Sequence, residues 1–140
     1  MIANNYLRFK GNCKEAFDFY KKVFNSEVLH VSTFGEMPSK EGQPEVSDDM
    51  KDKIMHIAIT IGDSMLMGSD TNEEWSKNFN QGNNFSINVK VDSKEQANQI
   101  FEDLSKEGTV TMPIEKTFWG SYFGSCEDRF GINWMIGFDD

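Results

Sequence analysis

Cysteine, histidine and proline are scarce in this 140-residue sequence, which contains two, two and three of them. The two cysteines, Cys13 and Cys126, lack the spacing of a metal-binding motif, so we expect free thiols of the kind usual in the cytoplasm. No apolar run approaches the roughly 20 residues that a membrane-spanning helix requires. The N-terminal residues also lack the basic and apolar segments of a secretory signal. These absences predict a cytoplasmic protein without membrane association.

Positive charge is also in short supply. Lys and Arg number 14 against 23 Asp and Glu, which gives a formal net charge of −9 at pH 7. Such a chain repels phosphate backbones and anionic lipids, so we expect no nucleic-acid partner and no membrane-surface partner. The length is that of one ordinary domain, residues 1–140, with enough apolar residues for a core without disulfides.

The first half of the chain alternates between strand and helix patterns. Residues 5–10 predict a strand, and residues 13–24 predict a helix with an apolar stripe. Asn12 and Glu15 have the spacing of a capping box at the start of that helix. Further strands are predicted at 27–35, 53–61 and 64–70. The intervening loop, residues 36–52, is long enough to suggest a lid or a mobile segment.

The second half repeats this order. A strand at 85–91 precedes a helix whose start carries Asp92 and Glu95 at capping-box spacing, and three more strands follow. A shift of 81 residues superposes the helical stripes, placing Ala16 on Ala97 and Tyr20 on Phe101. The sequence therefore predicts an α+β protein of two β-α-β-β-β modules, at about 1–70 and 84–140, linked by polar residues 71–83. Two unrelated αβ units are the alternative.

Four segments carry a resemblance to a known family: YLRFKGNCKEAFDFYKKVF (6–24), FGEMP (34–38), MHIAITIGDSMLMGSD (55–70) and KTFWGSYFGSCEDRFGINWMI (116–136). Together they resemble the PhnB-like branch of the vicinal oxygen chelate superfamily, which includes glyoxalases, bleomycin-resistance proteins and extradiol dioxygenases. The resemblance implies a curved sheet of paired βαβββ modules, a cavity for a small organic molecule and completion of the sheet in a homodimer. Proteins of this branch often carry the label 3-demethylubiquinone methyltransferase.

Two features of the sequence limit what the resemblance implies. A methyltransferase of the common type needs a glycine-rich turn after its first strand, and no GxGxxG segment is present. Metal-dependent relatives place His, Glu or Gln at four strand positions, which correspond here to Asn5, Met67, Ser86 and Met135. These four residues are poor ligands for a hard divalent cation. We therefore expect neither a bound metal nor another cofactor.

His56 is the one candidate catalytic residue. Strand alternation places it opposite Ile57 and Ile59, and hence on the cavity side if those isoleucines pack beneath a helix. A histidine there could act as a ligand, a general base or a hydrogen-bond anchor. A structural histidine bonded to a neighbouring strand is the alternative.

The remaining candidate ligand-binding residues share the cavity face or its rim. Aromatic and methionine side chains would form an adaptable wall for a small molecule, and short polar side chains would orient it. These candidates are Asn5, Met67, Asp70, Ser86, Asn88, Trp119, Tyr122 and Met135.

The thiol of Cys13 has two interpretations. At a helix start the dipole would lower its pKa and make it reactive, whereas a half-buried thiol would be inert.

Three functions remain open at this point. The leading hypothesis is a homodimer that binds a small organic molecule in a metal-free cavity. The alternative is an isomerase, lyase or transferase of the glyoxalase type that uses His56. The third is an interaction module whose cavity is filled by its own side chains.

Overall fold

A computed structural model describes residues 1–38, 41–42 and 45–139, which separate into two compact units, Met1–Phe79 and Asn80–Asp140. The first unit contains β1 (Asn5–Phe9), α1 (Cys13–Phe24), β2 (Val28–Thr33), a short 3-10 helix (Phe34–Glu36), β3 (Ile54–Ile61) and β4 (Ser64–Asp70). Its sheet has the order β1-β4-β3-β2, with β1 parallel to β4 and the other pairs antiparallel.

The second unit repeats this topology. It contains β5 (Ile87–Lys90), α2 (Lys94–Ser105), β6 (Thr109–Lys116), β7 (Ser121–Glu127) and β8 (Asn133–Asp139). The order β5-β8-β7-β6 matches that of the first sheet, again with one parallel pair. The predicted α+β class and the two β-α-β-β-β modules are confirmed.

Each helix packs on one face of its own sheet. In the first unit α1 buries Cys13, Ala16, Phe17 and Tyr20, and the Phe17 ring meets the Phe9 ring edge-on at 6.3 Å between centroids. In the second unit α2 buries Ala97, Ile100, Phe101 and Leu104, as the periodicity predicted. Glycines let the helices approach closely, because a Cβ at Gly68 would lie 2.5 Å from Phe17 Cε1, and one at Gly124 would lie 2.9 Å from Phe101 Cε1.

The two modules are offset differently in their strands and in their helices. Leu7 and Phe9 are the inward-facing residues of β1, and Ile87 and Val89 occupy that face of β5, so the strands correspond by an even shift. The helices follow the predicted shift of 81, from Ala16 to Ala97. The single shift of 81 is odd, and it therefore exchanges the faces of β5, because side chains alternate between the two faces of a strand.

The helix starts differ from both predicted capping boxes. Asn12 makes no side-chain cap; the Asp70 Oδ1 instead accepts hydrogen bonds from the backbone N–H of Gly11 and Cys13, at 3.0 and 2.9 Å. In the second unit the N-cap is Ser93 rather than Asp92, and its hydroxyl accepts from the Gln96 N–H at 3.1 Å. The first helix is therefore capped by a distant strand and the second by its own first turn.

The polar segment after β4 and the long loop before β3 both make contacts within the first unit. Thr71 donates its N–H to the Phe9 carbonyl, and Trp75 packs against Phe34, so the predicted linker begins as part of this unit. The two ends of the long loop are joined by a hydrogen bond from the Gly35 N–H to the Lys51 carbonyl oxygen, and Met50 near its end is buried. Residues 39–40 and 43–44 of that loop lie outside the described residues. Neither described helix has the length and apolar character needed to cross a bilayer.

Candidate functional site

Strand register sorts the side chains of the first sheet onto two faces. One face lies beneath α1 and carries the apolar core, including Leu7, Ile57, Ile59 and Leu66. The opposite face, here called the His56 face, is mixed in character. It carries Tyr6 and Arg8 from β1, His30 and Ser32 from β2, His56, Ala58 and Thr60 from β3, and Met65, Met67 and Ser69 from β4.

Three rings meet at the centre of the His56 face. The Tyr6 ring is stacked on the His56 ring with 5.6 Å between centroids, and the His30 ring lies 5.4 Å from His56 on the other strand. A hydrogen bond of 3.2 Å joins the Tyr6 hydroxyl to His56 Nδ1. The hydroxyl is the donor when the imidazole proton is on Nε2. This contact orients the imidazole and leaves Nε2 as its second polar atom.

Ser32 adds a buried hydroxyl to this cluster. It is the register partner of His56 on the neighbouring strand and is only 8% exposed. Its Oγ has no hydrogen-bond partner among the described residues. Leaving a buried hydroxyl unpaired costs about 1–3 kcal/mol, so such groups normally have a water or ligand as partner.

Two predicted site residues of the first unit lie on the other face. Asn5 alternates in phase with Leu7 and Phe9 along β1, which puts its side chain on the α1 side of the strand. Tyr6, and not Asn5, lies on the His56 face. Asp70 is 4% exposed and accepts three backbone hydrogen bonds, from Gly11, Cys13 and Ile54, the last at 2.9 Å. The predicted rim position of Asp70 is wrong, because its carboxylate is used to hold the backbone together.

In the second unit, four predicted site residues fall on or beside the face opposite α2. Asn88 and Met135 are register partners there, and Ser86 is an exposed residue immediately before β5. Trp119 lies in the β6–β7 connection, 56% exposed, with its ring 6.0 Å from that of Phe123. The structure thus brings Asn88 and Met135 together on one face of the second sheet.

Tyr122 does not share that face. It pairs with Phe138 on the α2 side of the sheet, and its hydroxyl donates a hydrogen bond to Asn98 Oδ1 on the helix. The Lys94 ammonium lies 5.0 Å from the centre of the same ring. The grouping of Tyr122 with Met135 is therefore wrong, because adjacent strands place these two side chains on opposite faces.

Both thiols are buried and unreactive in character. Burial raises the pKa of Cys13 far above its ordinary value, and the neighbouring Asp70 carboxylate raises it further. Burial likewise raises the pKa of Cys126 to about 12, with the Asp128 carboxylate adding to the effect. The pKa lowering considered for Cys13 does not occur, because desolvation outweighs the helix dipole.

The donor set on the His56 face does not fit the divalent metal of the superfamily's enzymes. Two imidazoles, His30 and His56, lie close together, but none of the residues on this face is a carboxylate. Arg8, a permanent cation, shares the face. In the described parts of the chain no three His, Cys, Asp or Glu side chains converge. A hard cation would lack the anionic oxygen ligands that it prefers.

Two four-stranded βαβββ units with one helix each define the class, a vicinal oxygen chelate protein of PhnB-like type. Residues 3–137 match the family model described as 3-demethylubiquinone-9 3-methyltransferase, and the chain belongs to that family. The description names an activity, but the fold observed here is not the doubly wound parallel sheet of common methyltransferases.

Known proteins support the same assignment. The chain is 31% identical to Protein YjdN of Escherichia coli K12, over 97% of this chain and 94% of the relative. It is 36% identical to protein PA1353 of Pseudomonas aeruginosa, whose crystal structure superposes with a TM-score of 0.83, covering 99% and 98% of the two chains. A glyoxalase/bleomycin resistance/dioxygenase family enzyme from Burkholderia phytofirmans shares the fold at 14% identity, with a TM-score of 0.66 and coverage of 96% and 95%.

Proposed function

We propose that this protein binds a small organic molecule on the His56 face without the help of a metal. The observation that carries the proposal is the buried Ser32 hydroxyl, which has no hydrogen-bond partner among the residues that the structure describes and whose strand pairs with His56. A ligand that supplies the missing hydrogen bond would gain the free energy that the unpaired hydroxyl now costs. Met65 and Met67 on the neighbouring strand offer apolar surface that adapts to the shape of a ligand.

The role of each polar residue follows from its position. His56 Nε2 has no partner among the described residues, and Tyr6 holds the ring through Nδ1, so the imidazole is oriented before a ligand arrives. Such preorganisation lowers the entropic cost of binding. Arg8 is held by a 2.6 Å hydrogen bond to Ser76 Oγ and contributes positive potential at one side of the face.

Native mass spectrometry of the purified protein tests the proposal directly. We expect the parent protein to retain a small molecule, and His56→Ala and Ser32→Ala to lose it. Ser26→Ala is the matched control, because Ser26 also has a buried, unpartnered hydroxyl but lies outside the His56 face. A parent protein with no retained mass, and no thermal shift with small organic acids, amines or neutral aromatics, would contradict the proposal.

The second candidate is catalysis, and the Tyr6–His56 hydrogen bond is what favours it. A tyrosine hydroxyl on Nδ1 fixes the orientation of the imidazole ring, as the orienting partner of a general base does. Tyr6→Phe separates the candidates once a ligand is known. Catalysis predicts lost turnover with retained binding, whereas simple binding predicts only a modest loss of affinity.

Metal analysis tests the metal-free part of the proposal. After dialysis we expect well under one equivalent of zinc, nickel, manganese or iron per chain, because the donor set lacks carboxylates. Stoichiometric metal that survives mild chelation would contradict it.

We further propose that the protein is a homodimer in the cytoplasm. Edge strand β2 exposes Val28, Leu29 and Val31, which are 43–51% accessible, and exposed apolar edges favour pairing with another chain. Two free, buried thiols are typical of a reducing compartment. Sedimentation at micromolar concentration should give twice the chain mass of 16.0 kDa, and cell fractionation should recover the protein with cytoplasmic markers. A monomer at that concentration, or recovery elsewhere, would contradict these proposals.

A further inference from the structure

The second unit contains a cavity on the side of its sheet that faces α2, away from Asn88 and Met135. Its volume is about 360 Å³, within the range of small-molecule sites. Lys94 at the start of α2 lines one part, and the end of β6, the beginning of β7 and Phe138 of β8 line the rest. The lining residues all belong to this unit, and none of them is a residue of the His56 face.

Two ammonium groups give this cavity its charge. Lys94 Nζ lies over the Tyr122 ring, which is itself fixed by the hydrogen bond from its hydroxyl to Asn98. Lys116 is the register partner of Tyr122 and makes no ion pair within the described residues. Glu115 also contributes to the lining, but as the register partner of Phe123 its side chain belongs to the other face of the sheet, so the two lysines supply the charge on this side.

The rest of the lining is apolar. Ile114 and the half-buried rings of Tyr122 and Phe138 form its walls. Tyr122 and Phe138 are register partners on β7 and β8, so both side chains lie on the α2 side of the sheet. Aromatic walls of this kind pack well against a flat hydrocarbon body, while lysines at the edge attract an anionic group.

We propose that this cavity is a second ligand site, which takes an organic anion with a flat apolar body, such as an aromatic carboxylate. The anionic group lies between the Lys94 and Lys116 ammoniums, and the apolar body packs on Tyr122 and Phe138. The proposal does not depend on binding at the His56 face.

Titration by 19F NMR tests it with 4-fluorobenzoate as the probe and 4-fluorobenzamide as its neutral counterpart. We expect the benzoate to bind and the benzamide to bind at least about tenfold more weakly. Lys116→Met and Lys94→Met should each weaken benzoate binding by about fivefold, the loss of one charge-assisted contact.

Two controls make the result specific. Lys106→Met removes a lysine from the opposite end of α2 and should leave the affinity within about twofold, since surface charges at that distance are screened. His56→Ala should also leave it unchanged. The proposal is overturned if the parent does not bind the benzoate, if both probes bind equally, or if Lys94→Met and Lys116→Met bind like the Lys106→Met control.

Discussion

The two units share a topology but secure their helices by different means. In the first unit one carboxylate, Asp70 at the end of β4, accepts N–H groups from the β1–α1 connection and from the start of β3. In the second unit Ser93 and Gln96 cap α2 locally, and Gln96 Oε1 accepts the Asp92 N–H. The repeat thus preserves the arrangement of strands and helix, while the polar contacts that hold it differ between copies.

The second unit has its own buried carboxylate, used elsewhere. Asp128 follows β7 and accepts from the N–H groups of Phe130 and Ile132 and from Trp134 Nε1, at 2.8–3.0 Å. It organises the turn between β7 and β8 and orients the largest fully buried side chain, Trp134. Among the described residues, a buried aspartate in each unit thus accepts from several N–H groups, at a helix start in one unit and at a hairpin in the other.

The strongest test of this difference is Asp70→Ala. The substitution leaves buried N–H groups of Cys13 and Ile54 without acceptors, so we expect a loss of about 3–5 kcal/mol in the free energy of unfolding, measured by urea denaturation. Asp63→Ala, in the exposed β3–β4 turn, is the control and should be near neutral. A loss below about 1 kcal/mol for Asp70→Ala would contradict the long-range cap.

Gly68→Ala tests the close packing of α1 on its sheet. The added methyl would lie 2.5 Å from Phe17 Cε1 and 3.0 Å from the Leu7 carbonyl oxygen, so we expect a loss of about 1–3 kcal/mol. Gly137→Ala is the matched change in the second sheet, where the nearest atoms lie 3.8 Å away. It should change the thermal midpoint little; equal losses at the two glycines would contradict the close contact at Gly68.

Ser93→Ala tests the local cap of α2. Removing an N-cap hydroxyl costs about 1 kcal/mol, so the loss should be well below that of Asp70→Ala. Asn12→Ala, at the corresponding position before α1, should change urea denaturation less still, because Asn12 makes no side-chain cap. A larger loss for Asn12→Ala than for Ser93→Ala would show that the two caps have been assigned the wrong way round.

The thiols should behave alike in the two units and matter only at alkaline pH. Because the folded pKa of Cys126 is raised to about 12 from an ordinary 9.0, the folded state retains a proton that the unfolded state releases. The contribution of this thiol to the free energy of unfolding is therefore fully present below pH 9 and falls as the pH rises from about 9 towards 12. Cys126→Ala should flatten the decline in urea midpoints between pH 8 and 10.5; an unchanged slope would contradict the shift.

Elements governed by local periodicity were predictable from the sequence. The stripe of residues 13–24 predicted a helix whose bounds the structure confirms as Cys13–Phe24, and Ala97 and Phe101 of the second stripe are buried in α2. His56 and Met67 lie on the face opposite the helix, as alternation within their strands predicted. That a small molecule binds at this face stays a prediction.

The errors arose where a conclusion depended on contacts between distant residues. The position of Asn5 comes from the resemblance to metal-dependent relatives, and an error of one residue in such a correspondence exchanges the faces of a strand. Asp70 ends a strand in the sequence, and only the folded chain shows three N–H groups converging on it. Ser32 is not predicted from the sequence, because an unpaired hydroxyl leaves no pattern there. The alternation of Tyr6 with Leu7 and Phe9 is the sequence pattern that could have placed Tyr6 on the His56 face.

The distant cap of α1 has a consequence for the order of folding. Asp70 lies 57 residues from Cys13 in the chain, whereas Ser93 lies three residues from Gln96. Contacts between distant residues form late because the intervening chain must first lose its entropy. The first turn of α2 should therefore acquire amide protection before that of α1 in a refolding experiment with pulsed hydrogen exchange. Of two modules with one topology, the helix start of the second in the chain would then form first.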